Sequence, residues 1–514
     1  MNLRQKLLSG AVLLGVSSLL SRLLGLLRDR IFATTFGAVG GGIHDLDTYY
    51  AAFRLPDTLF QLLLYGAISA AFVPIFTSYI KKNQSEEGWR FANNSLNILT
   101  TLLIIVSIIA LIFAPWIVKI FVPGFSGEKL ALTTTVTRIM LISPLFFGLS
   151  SVFQSIQNSL NRYFYMALAP IMYNISIIVA TLAGAKEYGV YAVAIGVVAG
   201  AFLHAAVQFP EILKLGFHWR PTFNFKAPDI KEMVRLLIPR VAGLSVFQVN
   251  LVINTLIGSL LASGSITILN YAINLNSLPM GIVGVSISIV AFGVFAELVA
   301  GEEHEKFFHI LKENFYKVVY LIVPATVAMI ILRHEIVGLI LKTGKFTSHD
   351  VALTAETLGI LSIGLLAQSL IPLFARAFYA YKNTRTPLYI AIFGTILNVA
   401  LSIALTQVWH FGVYGLAIST AIAGTAHWIM LQTTILKHLP HQGDKFIDIG
   451  KIVKIIISAA LMGVVVYFTK DAALHFIGNG IIGLSASLAI ACAVGLIVYF
   501  GAIKILRYRS ENRI

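Results

Sequence analysis

Six arginines lie inside or beside long apolar stretches of the chain: Arg22, Arg28, Arg54, Arg138, Arg240 and Arg376. A guanidinium stays charged at any physiological pH, and at the centre of a membrane helix it costs about 2.5 to 3.5 kcal/mol on insertion scales. Such a side chain either faces a cavity or a partner, or sits close enough to a helix end to snorkel to the interface. Arg138 and Arg376 fit snorkelling as well as function. Guanidinium groups grip phosphate through a planar fork of donors, so several converging on one place suit a pyrophosphate better than a simple cation. Asp29, Asp47 and Asp57 are the carboxylates near enough in sequence to act as ion-pair or gating partners in the first part of the chain.

Covalent chemistry has no comparable footing. The sequence contains no G-x-x-x-x-G-K phosphate loop, no G-x-S-x-G elbow and no H-E-x-x-H zinc helix. The run Glu302-Glu303-His304-Glu305 with His309 has metal-ligand residue types, but it falls in a loop rich in charge and reads as a solvated surface. Gly40 to Gly42 follow no strand and read as a flexible loop, not a phosphate cradle. No catalytic residue, metal or cofactor is expected, and an ATP-driven pump is disfavoured. The one cysteine, Cys492, cannot form an intrachain disulfide.

The elements that must position the arginines follow from composition. Of 514 residues, 57% are hydrophobic and only 12% charged, against about 25% charged in soluble domains. A hydrocarbon core of about 30 Å needs roughly 20 apolar residues per crossing. Fourteen such segments are predicted, at 7–27, 48–79, 96–122, 133–157, 166–183, 190–213, 233–257, 266–298, 315–332, 353–380, 387–405, 414–436, 452–468 and 481–506. Backbone groups in lipid must be satisfied within the chain, and uninterrupted segments of this length permit only helices. The fold class is therefore an all-α integral membrane protein of about 14 transmembrane helices.

One set of alternate loops holds Lys81, Lys82, Arg90, Arg162, Lys214, Arg220, Lys226, Lys306, Lys312, Lys382, Arg385, Lys437 and Lys445. The opposite set holds fewer, chiefly Lys119, Lys129, Lys186, Arg333, Lys342, Lys345 and Lys470. Basic loops favour the cytoplasm, so both termini are predicted to be cytoplasmic, with residues 1–27 a retained first helix. The formal charge of +15 is spread over short loops beside apolar helices, which suits an anionic leaflet and argues against nucleic acid.

The chain also repeats itself at an offset of about 220 residues. Ser21-Arg-Leu-Leu-Gly-Leu26 resembles Pro239-Arg-Val-Ala-Gly-Leu244, and Tyr50-Ala-Ala-Phe-Arg-Leu-Pro56 resembles the stretch from Tyr271 to Pro279. Asn174 to Ala180 pairs with Asn398 to Ala404, and Tyr188 to Ile195 with Phe411 to Ile418. A six-helix unit returns the chain to its starting side, so the copies should be two parallel lobes that rock about a shared site. The expected division is 1–220 for helices one to six, 221–440 for helices seven to twelve, and 441–514 for two further helices. Arg22 and Arg240 then occupy equivalent positions.

At these residues the sequence resembles the MurJ (MviN) family, the flippases of lipid II within the multidrug/oligosaccharidyl-lipid/polysaccharide exporter superfamily. The resemblance rests on Ser21-Arg-Leu-Leu-Gly-Leu-Leu-Arg-Asp29, Ala70-Ala-Phe-Val-Pro74, Gly344-Lys-Phe-Thr347 and Arg376-Ala-Phe-Tyr-Ala-Tyr-Lys-Asn-Thr-Arg-Thr-Pro387. It implies fourteen helices, and an arginine, an arginine and an aspartate around a central cavity at Arg22, Arg28 and Asp47. The chain departs from the family at Phe60 or Gln61 and at Tyr65, where better-known members carry an arginine and a glutamate, and at Asn274, where they carry an arginine. Arg240 and Arg54 are the residues expected to compensate.

The function expected from this resemblance is translocation of lipid II, an undecaprenyl-pyrophosphate-linked disaccharide peptide, from the cytoplasmic to the outer leaflet of a bacterial inner membrane by alternating access. The protein is expected to work as a monomer among membrane lipids, with Arg22, Arg28, Asp47, Arg240, Arg54 and Asn274 binding substrate and Asp29 and Asp57 gating or pairing. Three rivals are weighed. A polysaccharide-repeat flippase would share most of these features. A cation-coupled drug antiporter usually has twelve helices and would want embedded carboxylates more than arginines, so helix count and charge sign disfavour it. Predicted helices seven, eleven and twelve contain no Asp or Glu, which weakens sodium or proton coupling. A membrane transferase acting on lipid-linked sugar would need clustered carboxylates or histidines.

Overall fold

The computed structural model describes residues 3–39, 42–63, 67–439, 445–477 and 480–506, with side chains described at all of these except 3–11, 43, 63, 67–70, 239–240, 242–244, 247 and 477. Among the described residues every regular element is helical. Ten helices among the described residues are long and apolar enough to cross a membrane, and a pair bent by 45° at Gly364 makes up to eleven. Three further helical regions, residues 3–36, 46–63 with 67–81, and 228–259, carry most of the charged residues singled out above. Together they account for the fourteen predicted segments.

The chain divides into two compact units, Met1–Thr267 with Thr343–Phe346, and Ile268–Lys342 with Thr347–Ile514. The first holds α1 (Leu3–Phe36), α2 (Leu46–Leu63), α3 (Ala67–Lys81), α4 (Ser85–Phe121), α5 (Gly127–Met140), α6 (Ser143–Ser159), α7 (Phe164–Tyr188), α8 (Val190–Ala206), α9 (Phe209–Lys214) and α10 (Pro228–Ser259). The opening residues of α11 (Ser265–Pro279) also belong to it. α4 shows how these helices are patterned. Ile104, Ile105, Ile108, Ile112, Trp116 and Ile120 are exposed along one stripe, while Leu103, Ser107, Ala110, Ala114 and Val118 are buried on the other. Large apolar residues outside and mostly small or polar ones inside is the arrangement lipid favours, because lipid solvates Ile as well as a neighbouring helix does. α7 and α8 approach closely through Gly196 and Gly200. A methyl at Gly196 would come within 2.7 Å of Ala180 Cβ. The core of this unit is aromatic, built on Phe72, Phe76, Phe91, Phe147, Phe153 and Phe217.

The second unit holds the rest of α11, then α12 (Ser286–Ala300), α13 (His304–Ile331), α14 (Arg333–Leu341), α15 (Ser348–Ile363), α16 (Leu365–Ala380), α17 (Arg385–Ile403), α18 (Gly412–His438), α19 (Ile449–Ile477) and α20 (Ile481–Ile505). α11 continues into α12 through a π-helical turn at Met280–Val285, and α17 ends in another at Ala404–Val408. α15 starts with a reciprocal cap: Asp350 N–H donates to Thr347 Oγ1 at 3.2 Å and Thr347 N–H donates to Asp350 Oδ2 at 2.8 Å. Phe295, Phe307, Phe315, Phe374 and Tyr499 centre the core.

The backbone carries the internal repeat as well as the side chains do. Of the thirteen left-handed residues among those described, ten fall in two series, Gly42, Asn83, Gly127, Asn161 and Gly189, then Gly264, Glu302, Gly344, Lys382 and Gly412, with φ between +53° and +91°; Gly37, Gly216 and His410 stand outside the series. Taken in order, the five pairs are 217 to 223 residues apart. Left-handed backbone is costly for most L-residues, so its recurrence at one offset marks turns of the same geometry at corresponding places.

Candidate functional site

The polar residues of the first unit lie on α1 and α7, which pack together, and on α2 and α10, which pack together. On α1, Arg28 donates from Nε at 3.2 Å and from Nη2 at 2.9 Å to Asp29 Oδ1. Its Nη1 lies 3.5 Å from Asn174 Oδ1 on α7, and its guanidinium carbon sits 5.6 Å from the centre of the Phe32 ring. Asn174 is itself positioned, donating to Pro170 O at 3.0 Å and to Ser21 Oγ at 3.3 Å. Tyr49 closes the cluster by packing edge-on to Phe32 at 5.3 Å. A guanidinium has five N–H donors. Asp29 takes one edge, so the opposite edge, held only loosely by Asn174, keeps donors for a ligand.

Arg54 on α2 is buried and donates from Nε to Thr255 Oγ1 of α10 at 2.9 Å. One turn further on, Asp57 Oδ1 accepts from Gln61 Nε2 at 3.3 Å. Gln61, one of the positions where the sequence departs from the resembled pattern, thus holds a carboxylate in place. Its neighbour Phe60 packs against Phe147 with ring centres 4.5 Å apart.

Asp47 and Asp45 form a second polar knot at the start of α2. Asp47 is buried, and its Oδ2 accepts from Gly264 N–H at 2.7 Å while Oδ1 accepts from Thr267 N–H at 2.7 Å and Thr267 Oγ1 at 2.6 Å. One carboxylate therefore caps the first turn of α11 while lying in the first turn of α2, favourable to both helix dipoles. Asp45 is also buried. Its Oδ1 accepts from Thr48 N–H at 2.9 Å, and its Oδ2 from Lys129 Nζ at 2.6 Å and Ser263 Oγ at 3.0 Å.

The segment Thr343–Phe346 belongs to the same unit and docks on the end of α1, Lys345 N–H donating to Thr34 O at 3.0 Å. Gly344 has φ +57°, and a methyl there would strike Thr34 O. The stretch Gly344-Lys-Phe-Thr347 that carried part of the resemblance is thus built for a close backbone contact.

The remaining predicted residues fall differently. Arg22 is exposed and, among the described residues, has no hydrogen-bond or ion-pair partner. The side chain of Arg240, and Tyr65 altogether, lie outside the described residues. Asn274 belongs to the second unit and is partly buried, its carbonyl accepting from Ser277 Oγ at 2.7 Å. Arg138 is exposed, with one long 3.3 Å contact to Leu111 O. Arg376, in the second unit, donates from Nη1 to Ser288 Oγ at 2.6 Å and to Val285 O at 3.3 Å. Ser288 Oγ itself donates to Val285 O at 2.8 Å, so the arginine and the serine together hold the end of the π-helical turn. In the charged loop, His304 Nδ1 lies 3.0 Å from Tyr381 Oη, and Glu303 pairs with Lys306. No group of three His, Cys, Asp or Glu residues that could hold a metal ion occurs among the described residues.

Sequence reasoning missed Asp45, Lys129, Thr255, Ser263 and Thr267. A signal did exist for the first of these. Asp45 stands three residues before Thr48 at the head of an apolar run, which is the spacing of a helix cap.

The family model described as lipid II flippase MurJ matches residues 32–487 of the chain. A probable lipid II flippase MurJ of Buchnera aphidicola subsp. Schizaphis graminum is 29% identical over 519 residues, covering 99% of each chain. One of Rhizobium meliloti is 30% identical over 470 residues, covering 89% of this chain and 85% of its own. Among solved structures, lipid II flippase MurJ in an inward closed conformation is similar with TM-score 0.79 and 27% identity, covering 96% of this chain and 99% of its own. An inward-facing multidrug resistance MATE family transporter of the MOP superfamily shares the fold, with TM-score 0.68 at 15% identity over 81% of this chain and 94% of its own. The chain belongs to the lipid II flippase MurJ family.

Proposed function

We propose that this protein is a lipid II flippase, carrying the disaccharide-peptide and pyrophosphate head of its substrate to the outer leaflet by alternating access while the polyprenyl chain stays in lipid. The family match over residues 32–487 carries this reading. The Arg28 cluster supports it, because a membrane-embedded guanidinium with one edge neutralised by Asp29 can take a phosphate on the other. In this reading Arg22, Arg28 and Arg240 bind the pyrophosphate, Arg54 and Asn274 contact the head group, and Asp29 and Asp57 hold the guanidiniums when substrate is absent. Asp47 acts on the cycle through the α2 to α11 connection that its carboxylate makes. The protein is multi-pass, sits in the plasma membrane with both termini cytoplasmic, acts as a monomer, and transports without changing its substrate covalently.

Moving negative charge out of an inside-negative cell is favoured by about 2.3 kcal/mol per charge per 100 mV, so the membrane potential is a sufficient source of direction. The test is depletion of the protein in its host with lipid II followed by leaflet. Lipid II should accumulate in the cytoplasmic leaflet; accumulation of a different lipid-linked intermediate would overturn the substrate assignment.

A further inference from the structure

The segment joining α9 to α10 has an unusual make-up. Between Glu211 and Asp229 it carries Lys214, Arg220 and Lys226 and no carboxylate, interleaved with Phe217, Trp219, Phe223 and Phe225. It is also fixed in place by three buried asparagines of α4. Asn93 Oδ1 accepts from Arg220 N–H at 2.7 Å and its Nδ2 donates to His218 O at 3.0 Å. Asn94 makes the same two-way bond to the backbone of Asn224, at 2.8 and 2.9 Å. Asn97 donates to Arg220 O at 2.7 Å and Thr222 O at 3.1 Å and accepts from Trp219 Nε1 at 3.0 Å. Three side chains thus impose a shape on a segment that has no regular structure of its own.

What that shape encloses is a cavity of about 620 Å³ between α4, α6, α8 and the segment itself. Its walls include Leu149, Phe153, Phe202, Phe217, Trp219 and Phe223, with polar side chains only at Asn97, Thr100 and Thr101. The volume is that of a small-molecule site. Trp219 and Phe223 line the cavity yet are 65% and 53% exposed, so it opens past them to the surroundings. Walls this apolar offer water too few partners, and an unfilled space would forfeit packing. Lys214, Arg220 and Lys226 are all exposed, and among the described residues none is paired with a carboxylate.

We propose that this chamber binds an anionic phospholipid from the leaflet on the side of the α9 to α10 segment, one acyl chain entering the cavity and the phosphate meeting Arg220 with Lys214 and Lys226. Asn93, Asn94 and Asn97 serve it by holding the aromatic roof open. The site is distinct from the Arg28 cluster and stands or falls independently of the transported substrate.

The experiment uses the full chain in nanodiscs doped with a phosphatidylglycerol bearing a diazirine at one acyl terminus, with adducts located by mass spectrometry. Adducts should concentrate on the α4, α6 and α8 residues lining the cavity. Filling it by Ala206→Trp should cut those adducts at least about fivefold while leaving labelling of the outer stripe of α4 unchanged. Thr101→Phe, from a different wall, serves where Ala206→Trp does not insert. K214Q, R220Q and K226Q together should lower the preference for phosphatidylglycerol over phosphatidylcholine by roughly tenfold or more, since each basic residue near an anionic surface contributes. Equal labelling by the phosphatidylcholine probe, labelling unchanged in both cavity-filling variants, or displacement by a polyprenyl phosphate as readily as by phosphatidylglycerol would each overturn the proposal. The last result would make the chamber an isoprenoid site instead.

Discussion

Asp47, in the first turn of α2, accepts both the backbone N–H and the hydroxyl of Thr267, in the first turn of α11, at 2.7 and 2.6 Å. With Gly264 N–H on its other oxygen, the carboxylate satisfies two of the backbone donors that a helix start leaves unpaired. Two segments 217 and 220 residues apart are thereby tied by a single side chain.

Asp47→Ala should leave both backbone donors buried and unsatisfied, at about 1 to 3 kcal/mol each. Asp47→Asn should recover only part of this, because one of its two ends becomes a donor facing a donor. The loss should appear as a lower unfolding temperature in detergent and as failure to complement a flippase-depleted strain. Wild-type melting and growth for Asp47→Ala would show that the capping bonds contribute nothing.

Asp45 and Lys129 are the neighbouring ion pair, the first buried and the second partly so, with side chains 1% and 19% exposed. Removing one partner strands a charge in a poorly solvated place, at about 3 to 5 kcal/mol. Lys129→Met and Asp45→Asn should therefore each destabilise strongly, while the double variant should cost clearly less than their sum. Additive losses, measured by thermal unfolding of the purified protein, would mean that the two side chains are not coupled.

The path from sequence to this site was uneven for a physical reason. Helices were legible because apolar length is a local property, and Arg28 with Asp29 was legible because the partners are adjacent. Asp47 was picked out by resemblance, but its actual partners, Gly264 and Thr267, lie in another part of the chain and carry no local mark. Lys129 counted only as a loop charge for orientation, and Arg376 only as a membrane arginine, because neither Asp45 nor the π-helical turn at Val285 can be foreseen from their own surroundings. Asn93, Asn94 and Asn97 did leave a trace, three amides at the entrance of a strongly apolar helix. Such groups need partners in lipid, and the partners proved to be a loop over 120 residues away.

Gly344→Ala tests whether Thr343–Phe346 matters to the first unit. The φ of +57° disfavours any residue with a Cβ, and the added methyl would strike Thr34 O. Strain of about 1 to 2 kcal/mol from the backbone alone, plus displacement of the Lys345 to Thr34 bond, should abolish complementation at normal membrane levels. A moderate change in melting with full loss of activity would place the effect on the transport cycle. Full activity would show that the segment can undock without consequence.

The arginines give the sharpest test of the substrate assignment. Charge-assisted hydrogen bonds contribute about 1.5 to 3 kcal/mol each, so Arg28→Ala or Arg22→Ala should weaken lipid II binding by roughly tenfold to a hundredfold. The two are not equivalent, however. Arg28 is held by Asp29 and Asn174, so Arg28→Ala also removes one ion pair of the largely buried Asp29. Asp29→Asn combined with Arg28→Ala should then restore stability without restoring binding, which separates the structural loss from the functional one. Arg22 is exposed, and its removal should leave melting unchanged while binding falls. Lysine should rescue each only in part, since it keeps the charge but not the planar fork. The Arg22→Ala, Arg240→Ala double variant should be non-additive if both grip one phosphate group. Binding of lipid II to the singles, the doubles and the lysine versions, measured at matched expression alongside complementation, decides the matter: normal binding and growth in both Arg22→Ala and Arg28→Ala would leave these arginines as snorkelling or structural residues and the phosphate site elsewhere.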